Sequence, residues 1–459
     1  MEPFANQDLA DTDLQVFLNE AATCLCEWLS GAEEGYPLPF SVDLPAVPPE
    51  LEGVSNAQLI DDLRLIMAGS YQPSHPGSLA HLDPPPLTSS IVADLICAGI
   101  NNNLLAEELS PSLTLLERKI IQWFVEKLGF KEGAGGVAAS GGTLSNLMAL
   151  VISRKQAGLE NDPEAVLFVS EDSHVSIDKS VRIMGLAPDS LRKIPTNEKG
   201  EMNLEILERD FINMKEKGRN CFAIVATAGT TVRGAIDPLI PISDFCKNEG
   251  IWLHVDAAIG GAYALSKSNK FILNGIANCN SVTLNPQKIL GIAKTCSILL
   301  VSNSIDLEYT FSTGIPYVEP PLGSELHGGE IGLQGSRSGE VLKLWMGLRQ
   351  LGEKGINSLL EKAIMKKEFL LEKLDQSKLD VLTGPLHLIA CTPKNITPAK
   401  SLNWAISTRD KLLKQKFMLS RPKYKNLYYL KAVLGNPYTK FSHLDRLAKI
   451  LNESVSLYK

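Results

Sequence analysis

A lysine and an aspartate mark the part of this chain that can do chemistry. Lys288 follows Asn285 and Pro286 after a short apolar run, and Asp256 stands 32 positions earlier at the end of a strand-like run. The amine of a lysine can form a Schiff base with an aldehyde cofactor. A buried carboxylate can hold a pyridine nitrogen protonated, so that the ring withdraws electrons. Together the two residues indicate chemistry with pyridoxal phosphate (PLP).

Three other segments contain residues that suit the same site. Small residues at 138–146 precede an apolar helix, whose free N–H groups and dipole favour a phosphate. His174 follows a predicted strand, where an imidazole can stack on a flat ring, and Thr230 follows another predicted strand. Taken singly, these segments are better explained as a tight turn, a capping or surface histidine and a simple turn, while Asp256 fits a helix N-cap equally well. However, the order of these segments along the chain, with each at the end of a strand, favours a PLP site.

The composition restricts the partners and the cellular location. The chain has 459 residues, enough for two or three domains, with 44% hydrophobic and 21% charged residues. Its net charge of −7 argues against a nucleic-acid partner or an acidic membrane surface. No apolar window is long enough for a transmembrane helix, and the N-terminus lacks a signal-peptide pattern. The eight cysteines are scattered, which predicts free thiols in the cytoplasm and no metal site.

The pattern of apolar residues predicts an α/β fold with a mostly parallel sheet. Helical spacing indicates helices at 11–32, 88–101, 111–128, 143–157 and 338–375. Short apolar runs indicate strands at 165–169, 221–225, 251–255 and 297–301. Two proline-rich stretches interrupt an extended N-terminal arm. We therefore expect an arm at 1–87, a large domain at 88–337 and a small C-terminal α+β domain at 338–459.

Several motifs together carry a resemblance to a known family. They are Ser140-Gly141-Gly142-Thr143-Leu144-Ser145-Asn146, Asp172-Ser173-His174, Thr227-Ala228-Gly229-Thr230-Thr231, His254-Val255-Asp256-Ala257-Ala258, and Ser281-Val282-Thr283-Leu284-Asn285-Pro286-Gln287-Lys288, with His75-Pro76 and Leu434-Gly435-Asn436-Pro437 outside them. With these motifs the sequence resembles the group II PLP-dependent amino-acid decarboxylases, which include glutamate, cysteine-sulfinate, aromatic-amino-acid and diaminobutyrate decarboxylases. The resemblance extends from about residue 70 to about residue 450.

This resemblance implies the fold, the cofactor and the site. The fold would be the PLP-dependent transferase fold type I, assembled as a homodimer with its active sites at the interface. Lys288 would hold PLP covalently, Asp256 would pair with the pyridine nitrogen, and His174 would stack on the ring. The other cofactor-binding residues would be Gly142, Thr143, Leu144, Thr230, Ala258, Asn285 and Gln287, with His75 and Lys431 as substrate residues.

The resemblance also implies a mobile loop that covers the active site of the partner subunit. In this chain the loop would run from about residue 307 to residue 332 and would carry Tyr317, which would return a proton to the substrate carbon. The glycines and prolines of this segment suit a lid. The alternative for Tyr317 is a packing aromatic in a long loop.

Two residues depart from the family pattern. Gln287 stands where the family usually has histidine, and an amide can hydrogen-bond a phosphate but carries no positive charge. Lys431 stands where the glutamate-type relatives use arginine for the substrate carboxylate, and a lysine lacks the bidentate fork. The substrate therefore stays open among acidic, aromatic and diamino acids. By resemblance, Glu107 or Glu108 would come from the partner chain, where either could meet the amine of a diamino substrate; the alternative is that both are solvated.

These observations predict a PLP-dependent carboxy-lyase that converts an L-amino acid into its amine and CO₂. Two alternatives keep the fold but change the outcome. One is another PLP reaction, either decarboxylation coupled to oxidative deamination or transamination. The other is a protein without turnover that binds or regulates, which Gln287 leaves open.

Overall fold

The main sheet of the computed structural model has the α/β topology that the sequence predicts. The structure describes residues 4–49, 51–294, 296–319, 321 and 326–455. Within these ranges seven strands form one sheet in the order β1-β7-β6-β5-β4-β2-β3. These strands are β1 (Gly135–Ala139), β2 (Val166–Ser170), β3 (Leu191–Ile194), β4 (Cys221–Thr227), β5 (Trp252–Ala257), β6 (Ser281–Leu284) and β7 (Ser297–Val301).

The directions of the strands decide where a site can form. Strands β2 to β6 are parallel to one another, whereas β7 is antiparallel to both β6 and β1. The carboxyl ends of β1, β2, β4, β5 and β6 therefore meet at one edge of the sheet. Ligands of open α/β sheets bind at this edge, beyond the ends of the strands.

The helices of the structure are α1 (Thr12–Ser30), α2 (Asn56–Ala68), α3 (Thr88–Ile100), α4 (Pro111–Leu128), α5 (Gly142–Gln156), α6 (Val175–Ile183), α7 (Leu204–Glu216), α8 (Leu239–Glu249), α9 (Ile305–Phe311), α10 (Val341–Lys373), α11 (Pro398–Lys414) and α12 (Phe441–Ser454). The five helices predicted from the sequence agree closely with α1, α3, α4, α5 and α10 of the structure. In the described ranges, no helix combines the length and the apolarity needed to cross a bilayer.

Several elements of the structure had no predicted range, among them α2 and the strands β1 and β3. The N-terminal arm contains α2 between its proline-rich stretches, and the Ser55 side chain caps this helix by accepting a hydrogen bond from the Gln58 amide. Strand β1 consists of Gly-Gly-Val-Ala-Ala, so it has one β-branched residue, no aromatic residue and otherwise only glycine and alanine, which are weak strand formers. Strand β3 is only four residues long and half charged.

A second, smaller sheet lies towards the C-terminus. The strands after α10 are β8 (Leu379–Thr383), β9 (Leu388–Pro393), β10 (Lys423–Tyr424), β11 (Leu427–Tyr428) and β12 (Leu430–Val433). In the described residues, β12, β9 and β8 form an antiparallel sheet, while β10 and β11 form a separate hairpin. Helix α10, which is interrupted at Gly352 (φ 60°), packs its first part into the core of the main sheet and its last part into the core of the small one. The proposed domain boundary at 337/338 stays a prediction, since one helix belongs to both cores.

Candidate active site

A cavity of about 140 Å³ opens at the carboxyl ends of the strands. Most of the residues predicted from the sequence line it. They are Gly142, Thr143, His174, Thr230, Asp256, Ala258, Asn285 and Lys288. Side chains that are separated by up to 146 positions in the chain therefore converge on one small space. The sheet topology explains this convergence, since each of these residues lies in, or shortly after, the last part of a strand.

Lys288 lies in this cavity without a partner. Its side chain is partly buried and makes no hydrogen bond or ion pair with any residue that the structure describes. Its backbone amide donates to the Asn285 carbonyl over 3.0 Å, which closes the turn after β6. Burial lowers the pKa of the Lys288 amine, although the nearby Asp256 opposes this shift. A lysine amine that is desolvated in this way is more readily deprotonated and hence more nucleophilic.

Asp256 is buried near the end of β5, where its carboxylate accepts hydrogen bonds on both oxygens. Asn146 Nδ2 donates to Oδ2 over 2.9 Å, and the Ala258 amide donates to Oδ1 over 3.1 Å. The side chain is only 6% exposed, and a buried carboxylate without a cationic partner is costly. Among the residues that the structure describes, only neutral donors hold this carboxylate against the wall of the cavity, which suits a cationic ligand group.

The amino end of helix α5 forms another part of the cavity. Its N-cap residue is Gly141, no side chain caps the helix, and its first turn contains no acidic residue. A Cβ atom at Gly142 would lie 2.8 Å from Asn285 Nδ2, so the approach of this side chain requires glycine. Asn285 is itself held by a 2.9 Å hydrogen bond from the Ser297 hydroxyl to its Oδ1. The free N–H groups of this first turn form a site for an anion such as a phosphate.

His174 caps helix α6 and remains exposed at the cavity. Its Nδ1 accepts a hydrogen bond of 3.2 Å from the Ser176 amide and lies 2.8 Å from the Ser176 hydroxyl. Partial burial lowers the pKa of the imidazole, while Asp256 opposes the shift. The ring is therefore held by one nitrogen and leaves its face and Nε2 open towards the cavity.

Five predicted residues are absent from the described cavity wall. The Leu144 amide donates to the Gly141 carbonyl, and the Gln287 Oε1 accepts a 2.6 Å hydrogen bond from the Cys296 amide. Lys431 lies just behind the wall, because its Nζ donates to the carbonyl of the lining residue Thr231 over 3.3 Å. His75 and Tyr317 are also not part of this wall.

His75 and Tyr317 have opposite environments. The His75 side chain is buried against the C-terminal region, where its Nδ1 accepts from the Gly77 amide over 2.8 Å. Tyr317 is 77% exposed, in a segment that lies between α9 and residue 328. Part of the predicted lid, at 320 and 322–325, lies outside the described residues. The roles of His75 and Tyr317 stay predictions.

The structure adds lining residues to which the sequence pattern assigned no role. Asn146, Asp172 and Thr227 also face the cavity. Asn146 lies one turn after Thr143 on α5, and this helical spacing is a signal that the sequence contains. The Asp172 carboxylate receives a 2.8 Å hydrogen bond from the Tyr424 hydroxyl, whereas the Thr227 hydroxyl is buried without a partner among the described residues.

Comparison with known proteins agrees with this geometry. A family model described as the pyridoxal-dependent decarboxylase conserved domain matches residues 45–383, which is well over half of the chain. The chain belongs to the pyridoxal-dependent decarboxylase family. The predicted family, the carboxy-lyase class and the PLP cofactor are thereby confirmed.

Relatives of this decarboxylase cover most of its length. It is 31% identical over 370 residues to human cysteine sulfinic acid decarboxylase, covering 76% of this chain and 72% of that protein. It is 30% identical over 396 residues to the aromatic-L-amino-acid decarboxylase of Bacillus atrophaeus, covering 83% and 82%. A crystal structure of mouse CSAD superposes with a TM-score of 0.88 at 24% identity, covering 96% and 99%. Oryza sativa TDC with PLP and tryptamine superposes with a TM-score of 0.91 at 19% identity, covering 99% of each chain. The predicted fold is therefore confirmed as well.

The residues of the cavity fit PLP. The amine of Lys288 and the hydroxyl of Thr227 have no partners among the described residues, as groups that meet a ligand would. The uncapped amino end of α5 suits the phosphate, and the Asp256 carboxylate suits a protonated pyridine nitrogen. His174 remains open to stack on a ring.

Proposed function

We propose that this decarboxylase removes the α-carboxylate of an L-amino acid to give the amine and CO₂, and that it works as a homodimer. The convergence of Lys288, Asp256 and His174 on one cavity carries the proposal. According to their names, two of the relatives decarboxylate amino acids, namely cysteine sulfinic acid and aromatic L-amino acids.

Each residue of the cavity has a separate task in this proposal. PLP, when bound, accepts the electrons released as the bond to the carboxylate breaks. Lys288 attaches the cofactor through its amine, and Asp256 keeps a proton on the pyridine nitrogen. Thr143 and the amino end of α5 bind the phosphate, with Asn285 beside it. His174 would stack on the cofactor ring and shield it from water.

Lys431 is proposed to bind the substrate carboxylate. It lies behind Thr231, and burial together with the positive charge of Lys288 lowers the pKa of its amine to about 8. At pH 7 the amine is still mostly protonated, so it can attract an anion. A lysine supplies one point charge where an arginine would supply a planar fork, and this permits carboxylates in more than one orientation.

Tyr317 is proposed to serve the site of the partner subunit. Its side chain is exposed in the single chain and does not line the chain's own cavity. In a homodimer the segment that carries it would close over the neighbouring cavity, where the phenol would return a proton to the α carbon of the product.

The N-terminal helices support the proposed dimer. Within the described residues, α1 and α2 each bury a single side chain, Cys24 in α1 and Ile60 in α2. Large apolar side chains of the first three helices remain exposed, namely Leu14, Val16, Leu18, Leu59, Leu63, Ile66, Val92, Leu95, Ile96 and Ile100. Apolar surface of this extent is typical of a protein interface. A second copy of the chain would cover it.

A cytoplasmic location is also proposed. All eight cysteines are free thiols. Unpaired cysteines are typical of compartments in which glutathione and thioredoxin keep thiols reduced.

A panel of L-amino acids tests the reaction. The purified holoenzyme is incubated with acidic, aromatic and diamino acids, and CO₂ and organic products are measured together. The proposal predicts equal amounts of CO₂ and the corresponding amine for at least one substrate. Aldehyde with ammonia would indicate oxidative deamination, a keto acid without CO₂ would indicate transamination, and no product from any amino acid would contradict the proposal.

A further inference from the structure

A layer of polar side chains lies between helix α5 and the main sheet. Trp252, His254 and Asp256 alternate along β5, so all three point to the same face of the sheet. On the neighbouring strand β6, Ser281 is paired directly with His254. Asn146 of α5 reaches this layer from above. The layer is buried, and the proposed function uses only Asp256 from it.

Hydrogen bonds connect these side chains into one continuous chain. Trp252 Nε1 lies 2.8 Å from Ser281 Oγ, which lies 2.9 Å from His254 Nδ1. His254 Nε2 then lies 3.0 Å from Asn146 Oδ1. Asn146 Nδ2 finally lies 2.9 Å from Asp256 Oδ2. The chain of hydrogen bonds therefore begins at the Trp252 indole, at the start of β5. It ends at the Asp256 carboxylate, near the end of β5 and at the cavity.

The chemistry of the groups fixes the direction of every bond in this chain. An indole N–H can only donate, so Ser281 Oγ accepts from Trp252 and has its own proton free for His254 Nδ1. Burial lowers the pKa of His254 well below its usual range, so the imidazole is neutral and its single proton stands on Nε2. The Nε2–H group donates a hydrogen bond to Asn146 Oδ1, so the amide N–H groups of Asn146 point away from His254.

The chain of hydrogen bonds branches at the amide nitrogen of Asn146 and continues towards two residues of the site. One branch is the bond to Asp256, and the other is a 2.9 Å bond from Nδ2 to Ser176 Oγ. Because Ser176 Oγ accepts from Asn146, its proton is directed to His174 Nδ1, which lies 2.8 Å away. The proton of a neutral His174 therefore stands on Nε2, towards the cavity. One asparagine orients both the carboxylate and the imidazole.

We propose that the Trp252–Ser281–His254–Asn146 chain is a positioning device that holds Asp256 as an acceptor for the cofactor ring nitrogen and His174 as an Nε2–H donor. None of the four residues needs to touch the substrate. This inference rests on the proposed role of Asp256. Loss of the link between His254 and Asn146 frees the Asn146 amide to rotate, so that its oxygen can face the carboxylate and repel it.

Two substitutions of His254 separate positioning from simple packing. A glutamine can place an amide N–H where Nε2 stands, so His254→Gln preserves the bond to Asn146. An asparagine side chain reaches only the position of Nδ1. His254→Asn therefore keeps the hydrogen bond to Ser281 and loses the hydrogen bond to Asn146. The holoprotein is reconstituted with PLP that carries ¹⁵N in its ring, and the ring ¹⁵N resonance is recorded at one pH near neutrality together with the affinity for PLP.

The proposal predicts a protonated ring nitrogen in the wild type and in His254→Gln. In His254→Asn the resonance should move towards that of neutral pyridine, and PLP should bind roughly tenfold more weakly, as expected for a weakened hydrogen bond to a charged group. A protonated ring and wild-type affinity in His254→Asn would overturn the proposal. Trp404→Phe is the matched folding control, because Trp404 is a buried indole that donates to Ser454 Oγ over 3.0 Å in the small core; it should leave the resonance unchanged.

Two further measurements keep the test decisive. Asp256→Asn should shift the ring resonance more than any substitution of His254; if it does not shift the resonance at all, the proposed role of Asp256 fails instead. Should His254→Asn not fold, the wild-type holoprotein is labelled with ¹⁵N-histidine, and His254→Gln identifies the His254 signal by its loss. A neutral ring with its proton on Nε2 supports the chain, whereas a proton on Nδ1 or on both nitrogens contradicts it.

Discussion

The hydroxyl of Tyr424 donates a 2.8 Å hydrogen bond to Oδ2 of Asp172. Tyr424 belongs to the hairpin β10–β11 in the C-terminal part of the chain, whereas Asp172 lines the candidate cavity two residues before His174. Burial raises the pKa of the Asp172 carboxyl, and the bond from Tyr424 opposes this shift. The hairpin thus supports the loop that carries His174.

Removal of this hydroxyl should weaken cofactor binding as well as stability. In Tyr424→Phe the partly buried Asp172 carboxylate loses a donor, which costs about 1 kcal/mol of the free energy of unfolding. The comparison is Tyr429→Phe, since the Tyr429 hydroxyl donates a similar 2.9 Å bond to Asp380, which does not line the cavity. Melting temperature and PLP affinity are measured for both variants. Equal PLP affinities would show that the hairpin does not support the site.

Asp256→Asn should slow decarboxylation without unfolding the protein. An amide cannot stabilise a protonated pyridine nitrogen as a carboxylate does, so kcat should fall by about 10²–10⁴, the range typical of a positioned acid–base group. Asp256→Glu should keep part of the activity, because it keeps the charge. Steady-state kinetics with the best substrate of the panel measures both effects. An unchanged kcat in the asparagine variant would remove Asp256 from the mechanism.

Binding of the substrate carboxylate should weaken as the pH rises through about 8. Lys431 is protonated below its pKa of about 8 and attracts an anion there, while above that pH it becomes neutral. KM should therefore rise between pH 7 and pH 9 in the wild type. In Lys431→Arg the guanidinium stays charged over this range, so the rise should be lost. The same KM profile in both proteins would place the carboxylate elsewhere.

Tyr317→Phe should change the products more than the PLP content. The side chain is 77% exposed and does not line the chain's own cavity, so the cofactor should bind as before. Without the phenol, return of the proton to the α carbon should slow, and aldehyde or ketone should rise at the expense of amine. Tyr309→Phe is a suitable comparison, since Tyr309 is an exposed tyrosine on the neighbouring helix α9. Normal amine formation in Tyr317→Phe would mean that another group donates the proton.

The sequence predicted the residues at strand ends because short apolar runs, and their alternation with helical segments, are signals that the sequence contains. Lys288, Asp256 and His174 each follow or end an apolar run, so their convergence follows from the topology. The chain of bonds through His254 and Asn146 could not be predicted in full. A strand places residues two apart, such as His254 and Asp256, on one face, but the register with Ser281 and the position of α5 depend on tertiary packing.

The environment of Gln287 shows a second limit of sequence reasoning. The resemblance implied that Gln287 would bind the cofactor, since an amide can hydrogen-bond a phosphate. In the structure its oxygen accepts from the Cys296 amide over 2.6 Å. A local backbone group competes for the same side chain, and a motif does not reveal such a competitor. The contribution of Gln287 to phosphate binding stays a prediction.

Reduction of the holoenzyme with borohydride, followed by peptide mapping, tests the central claim most directly. If Lys288 holds PLP, reduction should fix the cofactor on the peptide that contains Lys288, and Lys288→Ala should show neither the modified peptide nor decarboxylation. Lys366→Met is the control, because Lys366 is a buried lysine whose amine donates to the Asn436 carbonyl over 2.6 Å, outside the cavity wall; it should be labelled at Lys288 like the wild type. Modification of a different lysine, or turnover at the wild-type rate in Lys288→Ala, would contradict the account.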